Sequence, residues 1–159
     1  ILDEAKLDFA QDYESASEKI KQTRYDLAIL DIMGVNGIKL LEECVEQNIP
    51  AIMLTAHAMN PESLMQSIKK GAISYLSKEH LSELDSLINE LMGAQSKGMP
   101  AWKLLFEKLG SQFDQRFGTG WKNSHKNFWN EFEENWQVSR GIQERLLHDK
   151  KKINLKFKI

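Results

Sequence analysis

Three residues of different chemistry close three apolar runs: Asp31 follows "LAIL", Thr55 follows "AIML", and Lys78 stands shortly after "ISYL". A carboxylate, a hydroxyl and an ammonium at one edge of a sheet could handle a phosphoryl group. The carboxylate would be the nucleophile, and the other two would bind phosphoryl oxygens. Singly, each residue has a plainer reading: a strand-end aspartate or threonine caps a helix or makes a turn, and a lysine is solvated. Their order and spacing, with the residues around them, carry the case for chemistry.

The elements that must position them alternate along the chain. "KLDFA" reads as a short strand, and "DYESASEKIKQT" as a helix with Tyr13, Ala16 and Ile20 at helical spacing. "DLAIL" is a continuous apolar strand; "GIKLLEECVEQ" is a helix with Ile38, Leu41 and Val45 on one face. "AIML" is the next strand. "PESLMQSIKKG" is a helix with Asn60 as N-cap, Pro61 at its first position and Gly71 as a left-handed C-cap. "ISYL" is a fourth strand, and "HLSELDSLINELM" a helix that should bury Leu81, Leu84, Leu87, Ile88 and Leu91. Continuous apolar strands alternating with amphipathic helices predict a doubly wound α/β fold, a parallel sheet covered on both faces. Its ligand site belongs beyond the carboxyl ends of the strands, where Asp31, Thr55 and Lys78 fall.

A chain of 159 residues, 42% hydrophobic and 28% charged, fits one core of ordinary size plus an appendage. No apolar run approaches the ~20 residues of a membrane span, and no signal peptide is recognisable, so a cytoplasmic location is expected. The single cysteine, Cys44, excludes an internal disulfide and a CxxC site. The net charge of −2 hides an asymmetry: residues 1–93 carry 8 Lys+Arg against 16 Asp+Glu, residues 94–159 carry 13 against 7. Opposite fields place a boundary near Gly93, which divides the chain into 1–93, a linker 94–100, and an extension 101–159.

"DLAILDIMG", "IPAIMLTAHA" and "GAISYLSKE" together resemble the receiver domains of two-component response regulators, of the chemotaxis-regulator type, over about residues 5–92. The resemblance implies a flavodoxin-like fold in which Asp31 accepts a phosphoryl group from a histidine kinase. It implies that Thr55 is the hydroxyl that moves to the phosphoryl oxygen, Ala56 the small residue beside it, Lys78 the cation on another oxygen, and Tyr75 the aromatic that switches rotamer with state. It also implies Mg2+, held by Asp31, the backbone carbonyl of Met33 and an acidic pair. Hard oxygen ligands suit that ion.

Three departures stand out. The loop "DIMGVNG" is short and lacks the family's proline, which affects the Met33 carbonyl; Glu79 stands where the family commonly has a cis-proline, which should loosen the Lys78 loop. The family's first strand, with its acidic pair, has no match: too few residues separate Glu4 from "LDFA" for a crossover helix. The chain begins with Ile rather than Met, and the expectation is an N-terminally incomplete chain. The tail "INLKFKI" does not suit the gap, because Lys156 and Lys158 would face a buried surface.

The extension places Trp102, Leu105, Phe106, Leu109 and Phe113, then Phe128, Trp129, Phe132 and Trp136, at helical spacing around the turn "RFGTGWKNS". Two helices are expected, with a third through "SRGIQERLLHDK". These aromatics pack helix on helix or onto the first domain, or else present a homodimer or partner surface. No helix-turn-helix, zinc or RNA-binding signature is present, and DNA binding is not expected; His125 and His148 read as surface residues. The expected role is a response regulator rather than an enzyme. The alternatives are a pseudo-receiver that is never phosphorylated and an aspartate-nucleophile phosphohydrolase, the latter weakened by Met33 where a second aspartate should be.

Overall fold

The computed structural model describes residues 5–32, 36–55 and 60–136. Within them the order is α1 (Tyr13–Gln22), β1 (Ala28–Asp31), α2 (Gly37–Glu46), β2 (Ala51–Thr55), α3 (Pro61–Lys69), β3 (Ser74–Ser77), α4 (Leu84–Ser96), α5 (Ala101–Phe117) and α6 (Lys126–Asn135). A 3-10 helix over Lys78–Glu83 joins β3 to α4, and another over Trp121–His125 precedes α6. The three strands form one open parallel sheet in the order β1-β2-β3, with Asp31 opposite Leu54 and Thr55 opposite Ser77. This is the α/β layout the sequence predicts.

Local chemistry explains most boundaries. Asp12 caps α1 by accepting a hydrogen bond from the Ser15 N–H at 2.7 Å, and Asn60 caps α3 through the Ser63 N–H at 2.8 Å. Gly71 ends the α3 segment with φ at 99°, as the C-cap reading requires. All five residues of β2 are buried; since neighbouring side chains point to opposite faces, both faces of the sheet are covered there. One continuous apolar core runs from Leu40, Leu41 and Ile52 through Leu64, Tyr75 and Leu76 to Leu105, Phe113 and Phe132.

Several expectations are corrected. "KLDFA" is not a strand: residues 6–10 have no regular structure, with Leu7 57% and Phe9 76% exposed. In the order the resemblance implies, this segment pairs with the family's first strand, and among the described residues no such strand lies beside it. For the same reason β1 is an edge strand here. Its Leu30 is buried, but Ile29 on the other face stays 38% exposed, so β1 is not covered on both sides. Leu81 is exposed as well, because it lies in the 3-10 helix rather than on the apolar stripe of α4. That stripe comprises Leu84, Leu87, Ile88 and Leu91, all buried.

Helix α4 continues to Ser96, so the first three residues of the stretch expected as a linker are helical, and the connection to α5 is 97–100. The aromatics of α5 and α6 pack on each other and on the sheet: Trp102, Phe113, Phe128, Trp129 and Phe132 are buried in the common core, and Trp121 and Trp136 pack against it. The third helix expected through "SRGIQERLLHDK", His148 and the tail "INLKFKI" lie outside the described residues, as do Asp3 and Glu4.

Candidate functional site

Asp31 is the last residue of β1, and Lys78 follows the last residue of β3. The two strands flank β2, and at ~4.8 Å per strand spacing their ends are on the order of 10 Å apart. The lysine and aspartate side chains together span that gap. Lys78 Nζ donates to Asp31 Oδ2, closing an ion pair over the end of β2. Both side chains keep contact with solvent, 27% exposed for Asp31 and 39% for Lys78. An acceptor that must meet an outside donor needs such access.

The backbone around Asp31 is tightly confined. A Cβ built on Gly37, the first residue of α2, would lie 2.1 Å from the Asp31 carbonyl oxygen and 2.8 Å from the Ile32 Cα. No side chain fits there, so the absence of one lets α2 press on the strand end that carries Asp31. The sequence shows a glycine opening this helix, but its contact with the backbone of Asp31 is legible in the fold alone.

Thr55 ends β2 at the same edge and is buried. Among the described contacts no hydrogen bond joins it to Asp31 or Lys78; its hydroxyl is near enough to the Tyr75 phenol to help hold that group's pKa down. Tyr75, on β3, is fully buried, with its hydroxyl 2.7 Å from Ser63 Oγ. Ser63 Oγ itself donates to the Asn60 carbonyl, so the phenol donates to Ser63. Burial pushes the Tyr75 pKa up, with the Ser63 hydroxyl, the Asn60 backbone and the Thr55 hydroxyl pulling the other way. The structure thus pairs Asp31 with Lys78 and sets Thr55 near Tyr75. Met33 and Ala56 lie outside the described residues.

Lys78 starts the 3-10 helix, and two bonds engage the residues on either side of it. Ser77 Oγ accepts from the Glu79 N–H at 3.2 Å, and the Glu79 carboxylate accepts from Arg116 of α5 at 2.6 Å. Neither Ser77 nor Arg116 could be found by motif, since both act through tertiary neighbours.

A magnesium ion needs several hard oxygen ligands. Among the described residues no three His, Cys, Asp or Glu side chains come together, and the family's acidic pair has no match in the sequence. The described residues do not compose that site, and no chemical step is routed through the ion. Among the described residues no helix is long and apolar enough to cross a membrane.

The chain is similar to known proteins. The chain is 37% identical over 70 residues to the two-component response regulator ARR10 of Arabidopsis thaliana, covering 41% of this chain and 12% of that protein. It is 36% identical over 75 residues to the phosphate regulon transcriptional regulatory protein PhoB of Klebsiella pneumoniae, covering 43% of this chain and 32% of PhoB. It therefore spans well under two thirds of either relative. Among solved structures it is similar to NtrX from Brucella abortus, with a TM-score of 0.47 and 25% identity over 65% of this chain and 22% of that one. The family model for the response regulator receiver domain matches residues 2–89. That match takes in more than half of the sequence, with Asp31, Lys78 and the elements between them: the chain belongs to the response regulator receiver domain family.

Proposed function

We propose that the chain works in two-component signalling as a phosphoryl acceptor, with Asp31 receiving the group from a histidine kinase. The observation that carries this reading is the Asp31–Lys78 ion pair across the carboxyl ends of β1 and β3. A carboxylate oxygen of Asp31 attacks phosphorus; the bond from phosphorus to the donor nitrogen breaks, and its electron pair leaves with the imidazole. Bringing a phosphoryl dianion to a carboxylate sets like charges together. The Lys78 ammonium stands where the new oxygens arrive and offsets that repulsion. Attack by water on phosphorus later restores the carboxylate and releases inorganic phosphate.

Thr55 and Tyr75 then form the responsive pair. A new acceptor oxygen at Asp31 competes with the phenol for the Thr55 hydroxyl, and Tyr75 is buried among residues of α3 and α5 that would register its movement. Such a change is a shift between two pre-existing arrangements, biased by the phosphoryl group.

The test is incubation of the full protein with acetyl phosphate and magnesium, and in parallel with a chelator, followed by intact mass. The expected result is a gain of one phosphoryl group that Asp31→Asn abolishes and Lys78→Ala diminishes. No Asp31-dependent gain would leave the pseudo-receiver reading standing. Steady turnover of a phosphomonoester would instead favour the phosphohydrolase.

A further inference from the structure

Helix α5 runs alongside β3 in register with it. Trp102 Nε1 donates to the Ala72 carbonyl at 2.9 Å, Phe113 meets the Tyr75 ring edge-on at 6.5 Å, and Arg116 bonds Glu79 at 2.6 Å. From Trp102 to Arg116 a helix advances ~21 Å at 1.5 Å per residue; from Ala72 through β3 into the first residues of the 3-10 helix at Glu79 the chain advances about 20 Å. The two segments therefore match in length and direction. Tyr75 and Leu76 point to opposite faces of the sheet, yet Phe113 lies against the first, and Leu105 and Leu109 share a groove with the second. A helix that reaches both faces sits over the strand's edge.

Two of the three anchor points fall on the signalling residues. Glu79 is the immediate neighbour of Lys78, and Tyr75 lies near Thr55. We propose that α5 is a built-in ligand of the β3 edge and that Arg116 is a positioning residue. Acting through Glu79, it holds Lys78 on the Asp31 carboxylate, so that the docked helix favours the unphosphorylated state. The inference rests on the reading of Asp31 as a phosphoryl acceptor and adds what reads it.

The physical basis is a conflict over one ammonium. A phosphoryl group on Asp31 lies further out from the strand end than the carboxylate does, and Lys78 must move outward to bind it. Glu79 moves with Lys78, while Arg116 is fixed by the seat of α5. That seat does not depend on the Arg116 bond, because Trp102, Leu105 and Phe113 are buried and Lys108 pairs with Glu90 of α4. Removing the guanidinium therefore frees the Lys78 arm without undocking the helix.

The experiment compares the half-life of the phosphoryl group, after acetyl phosphate is removed, in wild type, Arg116→Ala, Arg116→Lys, Glu79→Arg and the charge-swapped pair Glu79→Arg/Arg116→Glu. Thermal midpoints are measured on the same samples. The expected result is a half-life lengthened about threefold in Arg116→Ala and Glu79→Arg, the scale that an exposed ion pair can carry. Arg116→Lys and the swapped pair should return toward wild type, and the midpoints should be unchanged. Hydrogen exchange supplies the reciprocal view: α5 amides should exchange about threefold faster while the donor keeps Asp31 phosphorylated. Equal half-lives across the set, or exchange in α5 that ignores the donor, overturns the inference while leaving Asp31 as the acceptor. A wild-type protein that gains no phosphoryl group overturns both.

Discussion

The two edges of the sheet have been treated in opposite ways. The β3 edge is closed by α5, which supplies Phe113, Leu105 and Leu109 as apolar cover and Trp102 as a hydrogen-bond donor to a carbonyl beside the strand. Among the described residues nothing comparable covers β1, where Ile29 is exposed; Leu7 and Phe9, in the segment before α1, are exposed as well. An open strand edge with apolar neighbours is a template for another strand; a helix over the edge removes the template. In this chain the closed edge is also the one that carries Tyr75 and Lys78, so on the proposed reading protection and signalling occupy the same surface.

The largest way to break the comparison is Phe113→Ala. The ring is fully buried against Tyr75, Phe106 and Phe117, and its loss should cost about 3–5 kcal/mol in denaturant unfolding. A loss below ~1 kcal/mol would mean that α5 does not seal the β3 edge. Behind the β1 edge, the core should be just as dry, and Cys44 tests that. Burial pushes its thiol from 9.0 up to about 11. The unfolded chain then releases its proton first, so stability is full below about pH 9 and declines as pH rises toward 11, by about 2 kcal/mol at most. Cys44→Ala should flatten that decline, and an ordinary thiol reagent should label the native protein slowly at pH 7. Fast labelling would show that the open edge lets water into the core.

Gly37→Ala sharpens the contrast on the β1 side, since the new methyl collides with the backbone of Asp31 and Ile32. A cost of about 1–3 kcal/mol is expected, together with a loss of acetyl phosphate reactivity larger than stability explains. Trp102→Phe keeps the apolar cover and removes the donor to Ala72, for a loss of about 1 kcal/mol by thermal unfolding. Smallest is Ile29→Thr, expected within about 0.5 kcal/mol of wild type; its readout is reduced self-association in sedimentation. A destabilisation of Ile29→Thr comparable to that of Phe113→Ala would erase the difference between the edges.

What the sequence revealed follows the same division. Patterns that local chemistry writes were readable: the apolar runs of β2 and β3, the Asn60 cap, the stop at Gly71, and Asp31 and Lys78 at strand ends. "KLDFA" misled because its alternation is genuine, while strand formation needs a neighbour that pattern alone does not supply. Leu81 misled because a 3-10 turn shifts the helical phase by less than one turn, enough to move a leucine from core to surface. The Glu79–Arg116 bond was invisible for a different reason. Its two residues are ordinary surface charges until the fold sets α5 along β3, and no periodicity links positions so far apart in the chain.

Chain order adds a consequence of that closing helix. Residues are made from the N-terminus onward at ~5–20 per second, so on the order of 2–8 s separate the completion of β3 from that of α5. During that interval the nascent sheet has its signalling edge uncovered. The charged residues Lys78, Glu79, Glu83 and Asp85, which follow β3 directly, are then the nearest guard against pairing with a neighbouring nascent chain. Synthesis thus passes through a stage in which the surface later read by α5 is open to any other apolar helix in reach.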